Sequence, residues 1–183
     1  LQQFPVAMVA VAATSAVFPL LQAHAHGRDF LATRKLHDRT QRAIAFWALP
    51  ATLGLWVLAE PVVSVCLGGG EFGAEGVKRT SQALRFLTLT ILPVGASGLL
   101  ARTYYSMGDM KTPVRISSAM LIINVVLNVV FIRGLDMDVE GLALASAITT
   151  WGNLLLLFPG LGGRLGLPAP TDPIMGPLVR MGL

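Results

Sequence analysis

Apolar residues gather into long runs divided by short polar connections. Five runs stand out, at residues 4–21, 43–58, 84–105, 114–132 and 142–158, and a further apolar segment starts near 173–183. Each of the five is close to the roughly 20 residues that a helix needs to cross about 30 Å of hydrocarbon. None alternates in polarity as barrel strands do. Backbone groups in lipid must be satisfied within the segment, so the pattern predicts transmembrane helices. The second run continues past Glu60-Pro61 as "VVSVCL", too short to span and read as an interfacial or re-entrant extension. The predicted fold class is all-α, a polytopic membrane bundle of about five transmembrane helices.

Composition supports this. Of 183 residues, 54% are hydrophobic and 13% are charged, against about 25% charged in soluble domains. Mean hydropathy is +0.66. Cys66 is the lone cysteine, which rules out an internal disulfide. The formal charge of +4 comes from cations set between apolar runs rather than clustered on one basic face, which argues against nucleic acid as a partner. Instead the cations report topology. Ten Lys/Arg fall in the first, third and last connections and four on the other side. The positive-inside bias therefore places the stretch from His26 to Arg42 in the cytoplasm and that from Gly68 to Ser81 outside.

Candidate chemistry is sparse. "GGGEFG" matches G-x-G-x-x-G in letters, but it follows a membrane run rather than a strand and no acid stands about 20 residues on, so it reads as a turn. His24, His26 and His37 lack the further ligands of a metal set and read as interfacial. No Ser-His-Asp order, H-E-x-x-H motif or pair of membrane-facing carboxylates is present, so no enzyme activity is expected. In "MGDMKTPVRI", Gly108 and Asp109 read as a turn, Thr112 as a helix N-cap and Pro113 as the first helical residue. "PVGASG" sets Pro93 beside Gly95 and Gly98 in mid-span, which predicts a kinked helix with small residues at a packing or cavity face. Asn124 and Asn128, one turn apart in "IINVVLNVVFI", share a helix face and point toward one neighbour or one cavity. They read either as interhelical glue or as oxygen ligands for a cation.

Several stretches together resemble a known family. "TYYSMGDMKTPVRI" is similar to "FYxxxDxxTPVxI", matching Tyr105, Asp109, Thr112 and Pro113. "FPVAMVAVAATSAVFPLL" resembles a helix written "P-G-x-x-x-x-A-x-A-T-x-x-x-P-x-L-S". "LPATLGLWVLAEPVV", "GEF" and "VEGLALASAITTWGNLLLL" resemble three further segments in the family's order. The family is MurJ/MviN, the lipid II flippases of the MOP superfamily. The resemblance implies about 14 helices in two pseudo-symmetric lobes, of which this chain would cover late helix 8 to helix 12 of the C-terminal lobe and the start of helix 13. The chain would then be a piece of a longer protein in the bacterial cytoplasmic membrane. Its partners would be lipid II, membrane lipids and the N-terminal lobe of the same protein. Alternating access would move the lipid-linked cell-wall precursor across the membrane. The resemblance also implies a sodium ion as the only cofactor, held by Asn124, Asn128, the Ser146 hydroxyl and the Leu142 carbonyl, and a cavity or hinge role for Gln3, Pro93, Gly95 and Gly98. Asn128 stands where the family often has Asp, Ser146 where it has Thr, and Gln3 where many relatives carry an acid. The competing readings are another MOP transporter, for polysaccharide repeats or for drugs and cations, and a membrane scaffold that transports nothing.

Overall fold

The structure, a computed structural model, describes residues 11–27, 29–67, 73–134 and 139–165. Gln3, the turn at 68–72 and the segment near 173–183 lie outside the described residues. Among the described residues seven helices follow one another: α1 (Ala12–His26), α2 (Phe30–Val57), α3 (Ala59–Leu67), α4 (Ala74–Thr88), α5 (Ile91–Ser106), α6 (Lys111–Gly134) and α7 (Val139–Leu165). No strand occurs among the described residues. Among the described residues three stretches, Ala74–Ser106, Lys111–Gly134 and Val139–Leu161, are long and apolar enough to cross a membrane. The bent pair α2 and α3 makes a fourth if it counts as one span.

Helix α5 stands at the centre. Leu99 meets Leu21 of α1 and Ile44 of α2 in one cluster. Ile91 packs with Ala48 of α2, and Leu100 and Tyr104 pack with Leu157 and Leu161 of α7. Its buried hydroxyls turn back onto its own backbone. Thr103 donates to the Leu99 carbonyl at 3.0 Å and Ser106 to the Thr103 carbonyl at 2.8 Å, so neither costs an unpaired donor. The Tyr104 hydroxyl donates to the Leu157 carbonyl at 3.0 Å.

The helix breaks differ from the sequence expectation. The stretch from His26 to Arg42, expected as a connecting loop, is mostly helix, because α2 starts at Phe30. Asp29 caps it by accepting from the Ala32 amide at 2.9 Å. Residues 74–81, expected within an external loop, belong to α4. The run at 84–105 is interrupted at Leu89–Thr90, ahead of Pro93. Pro93 has no N–H for the carbonyl four residues before it, so the Leu89 carbonyl is released and the break falls there. Pro61 explains the second break by the same chemistry. It cannot bond the Val57 carbonyl, and α2 and α3 meet at 66° just there. Pro50 and Pro159 sit inside continuous helices.

Candidate functional site

The two asparagines of α6 face α7, the helix they pack against. Asn124 Nδ2 donates to Thr149 Oγ1 at 3.0 Å, and Asn128 Nδ2 donates to Asn124 Oδ1 at 3.0 Å. Thr149 passes its own proton to the Ala145 carbonyl at 2.9 Å. A chain of amide and hydroxyl groups therefore joins α6 to α7 across otherwise apolar faces. One atom remains unsatisfied: Asn128 Oδ1 is buried and has no hydrogen-bond partner. On α7 the Ser146 hydroxyl donates to the Leu142 carbonyl at 2.9 Å. A buried amide oxygen with free lone pairs is a hard donor of the kind that sodium-like cations prefer, and the Ser146 hydroxyl and Leu142 carbonyl stand on the helix packed against it. The set is neutral, which lowers the affinity expected of it. Nearer the start of α6, Ser117 Oγ donates to Asn153 Oδ1 at 3.4 Å and extends the polar strip along the same helix pair.

Thr149 is the group that sequence reasoning missed. The available signal was its distance from Ser146: three residues apart, both lie on one face of α7.

The cavity and hinge residues divide. Pro93 and Gly95 are buried in α5. Gly98 does not mark a close approach, because a Cβ there would meet nothing within 4 Å. Close approach occurs on α7 instead. A Cβ on Gly160 would strike the Tyr104 hydroxyl, and one on Gly152 would lie 3.0 Å from the Met120 sulfur. The Leu89 carbonyl released by Pro93 is taken up across the bundle by the Trp151 indole N–H at 3.1 Å. A broken span is thereby tied to α7, through a tryptophan that no motif marks out.

The turn before α6 is built from two motifs. Gly108 N–H reaches the Tyr105 carbonyl at 3.0 Å and Asp109 N–H the Tyr104 carbonyl at 3.0 Å. This is the Schellman pattern, and it requires the left-handed φ of +80° that Gly108 adopts. The expected N-cap at Thr112 is corrected: α6 begins at Lys111, and Asp109 does the capping. Its carboxylate accepts from the Lys111 and Thr112 amides at 3.1 and 3.0 Å and from the Thr112 hydroxyl at 2.7 Å. An ionised carboxylate accepts more strongly than a hydroxyl, so it wins the helix end. Pro113 is then the third helical residue, where its missing N–H still costs nothing.

His37, expected at an interface, is 2% exposed. With the Thr103 proton committed to Leu99, the lone pair left on Thr103 Oγ1 accepts the His37 Nδ1–H at 2.9 Å. The pair pins α2 to α5.

A family model described as "Lipid II flippase MurJ" matches residues 1–172. The chain is 34% identical over 164 residues to a probable lipid II flippase MurJ of Vibrio cholerae serotype O1, covering 88% of this chain and 30% of that protein. It is 30% identical over 171 residues to the lipid II flippase MurJ of Burkholderia cenocepacia, covering 93% of this chain and 33% of that one. The chain thus spans about a third of the length of these relatives. A solved structure titled "Lipid II flippase MurJ, inward closed conformation" shares the fold with a TM-score of 0.76 at 23% identity, over 94% of this chain and 35% of that one. With the family match reaching across every helix described above, the chain belongs to the lipid II flippase MurJ family.

Proposed function

We propose that this chain is the part of a bacterial cytoplasmic-membrane flippase that carries lipid II, supplying helices of its C-terminal lobe. The observation that carries the reading is the family match over residues 1–172. The N-terminal lobe, lipid II and the surrounding membrane lipids are its partners, and the protein transports rather than catalyses. Buried clusters pack α1, α2 and α7 onto α5, an arrangement suited to a lobe that rocks as one unit. Asn124, Asn128, Ser146 and the Leu142 carbonyl would hold a sodium ion, and the unpaired Asn128 oxygen supports that fit. When bound, the ion supplies positive charge that fastens α6 to α7.

The test is genetic. In cells depleted of their own flippase, the intact protein is expected to restore growth and lateral wall synthesis. Correct membrane insertion with no rescue would count against the reading.

A further inference from the structure

A second polar site lies outside the α6–α7 strip, at the corner where α3 turns into α4. A cavity of about 390 Å³ opens there, with Glu60 and Ser64 on one wall and Lys78, Gln82 and Arg85 on the other. The positions dictate the arrangement. Lys78, Gln82 and Arg85 follow the i, i+4, i+7 spacing of one helix face, and Glu60 and Ser64 lie one turn apart on the opposing helix.

The lining is rich in donors and poor in acceptors. Arg85 Nε is buried and has no hydrogen-bond partner. Its Nη2 reaches Glu60 Oε2 only at 3.7 Å, beyond hydrogen-bond distance, and that carboxylate is mostly exposed. Lys78 makes no ion pair among the described residues. The Ser81 hydroxyl at the same wall is already spent on the Val77 carbonyl at 2.6 Å. Among the described residues two cations thus face one carboxylate, and the Arg85 Nε–H has no acceptor.

We infer that this cavity binds an oxyanion of the phosphate class, with Arg85 as the hydrogen-bonding fork and Lys78 as a point charge at the mouth. A guanidinium matches the planar spacing of phosphate oxygens, while an ammonium contributes charge without fixed geometry. The long contact to Glu60 is weak and gives way readily to a closer acceptor. The space is many times one water's share of about 30 Å³, so it admits a phosphate together with part of the molecule that bears it. Such a group comes either from a soluble phosphate or from the headgroup of a phospholipid at the membrane surface. The inference does not depend on the flippase reading.

The thermal-unfolding midpoint of the intact protein tests it in two arms, at constant sodium and ionic strength. One titrates inorganic phosphate into protein in neutral detergent. The other raises the phosphatidylglycerol content of phosphatidylcholine nanodiscs step by step. A saturable rise in the first arm identifies a soluble source, and a rise in the second alone identifies a lipid headgroup. In either arm Lys78→Gln is expected to raise the half-saturating concentration about ten-fold, and Arg85→Gln to abolish the shift. Glu60→Gln, which removes the competing carboxylate, is expected to lower the half-saturating concentration. Should Arg85→Gln fail to fold, the exposed Lys78→Gln carries the test. No saturable rise in either arm, or a rise that Lys78→Gln leaves unchanged, overturns the inference.

Discussion

Helices α5 and α6 are neighbours in the chain and both are apolar, yet they are used in opposite ways. Ten of the sixteen residues of α5 are buried. In α6 only Pro113 is buried, and Leu121, Ile122, Val125 and Val126 are all more than half exposed. The difference lies in residue type more than in hydrophobicity. Helix α5 carries Gly, Ala, Ser and Thr, which let neighbours approach closely. Helix α6 carries branched aliphatics that suit a lipid-facing surface, interrupted on one side by two amides. In α5 the buried Ser and Thr groups donate to their own backbone. In α6 they reach across to α7, and one oxygen is left over. The lesson is that a polar residue in a membrane helix becomes a site candidate when its own helix cannot satisfy it.

The largest effect is expected at the buried end of the comparison. Tyr104→Ala removes a fully buried ring and its bond to Leu157, and should cost about 3–5 kcal/mol in the unfolding free energy of the intact protein. Gly160→Ala, which drives a methyl into the Tyr104 hydroxyl, should cost about 1–3 kcal/mol by the same measurement. A neutral outcome for both would mean that α5 and α7 are not packed as described.

Next comes the break in the α4–α5 span. Trp151→Phe keeps an aromatic side chain but removes the indole N–H that serves the Leu89 carbonyl, so a loss of about 0.5–1.5 kcal/mol is expected. Pro93→Ala restores an N–H that competes for the same carbonyl. In that background, Trp151→Phe should cost measurably less, and the double-mutant cycle reads the coupling. Additive losses would show that the two residues do not share the carbonyl.

Smaller still is the amide strip. Asn124→Ala should lower stability by about 0.6 kcal/mol, the typical size of an interhelical hydrogen bond in a membrane. If the strip also holds an ion, the wild-type melting midpoint rises in sodium relative to a bulky organic cation, and both Asn124→Ala and Asn128→Ala erase that rise. Equal midpoints in the two salts would leave the amides as glue. At the far end, Ile122→Ala on the bare face of α6 should stay within about 0.5 kcal/mol of wild type. A larger loss would mean that another part of the protein covers that face.

Much of this organisation was legible in the sequence, for physical reasons that also mark where legibility stopped. The run at 114–132 became α6 with two or three residues added at each end, because a bilayer-length apolar segment has few alternatives to a helix. The run at 142–158 was extended by three residues at its start and seven at its end. What the sequence could not reveal depended on helix registry. Asn124 was expected to look at a neighbour, but its partner Thr149 is set by how α6 lies on α7. Gly98 and Gly160 look alike as letters, and only the position of Tyr104 makes the second one a contact. The helix interruptions were half legible. Pro93 predicted a disturbed helix, but the break belongs to the carbonyl it leaves unpaired, four residues earlier. Thr112 lost the cap to Asp109 because both residue types favour helix starts and spacing alone does not rank them.

We propose that this chain serves a protein that moves lipid II across a membrane. It is tested most directly by reconstituting the intact purified protein in vesicles loaded with fluorescent lipid II, and following the fraction reached by a membrane-impermeant quencher. Exposure well above that of protein-free vesicles is expected, slowed by Trp151→Phe and slowed further by Asn128→Leu. Exposure no greater than in protein-free vesicles, from protein that is folded and inserted, would contradict it.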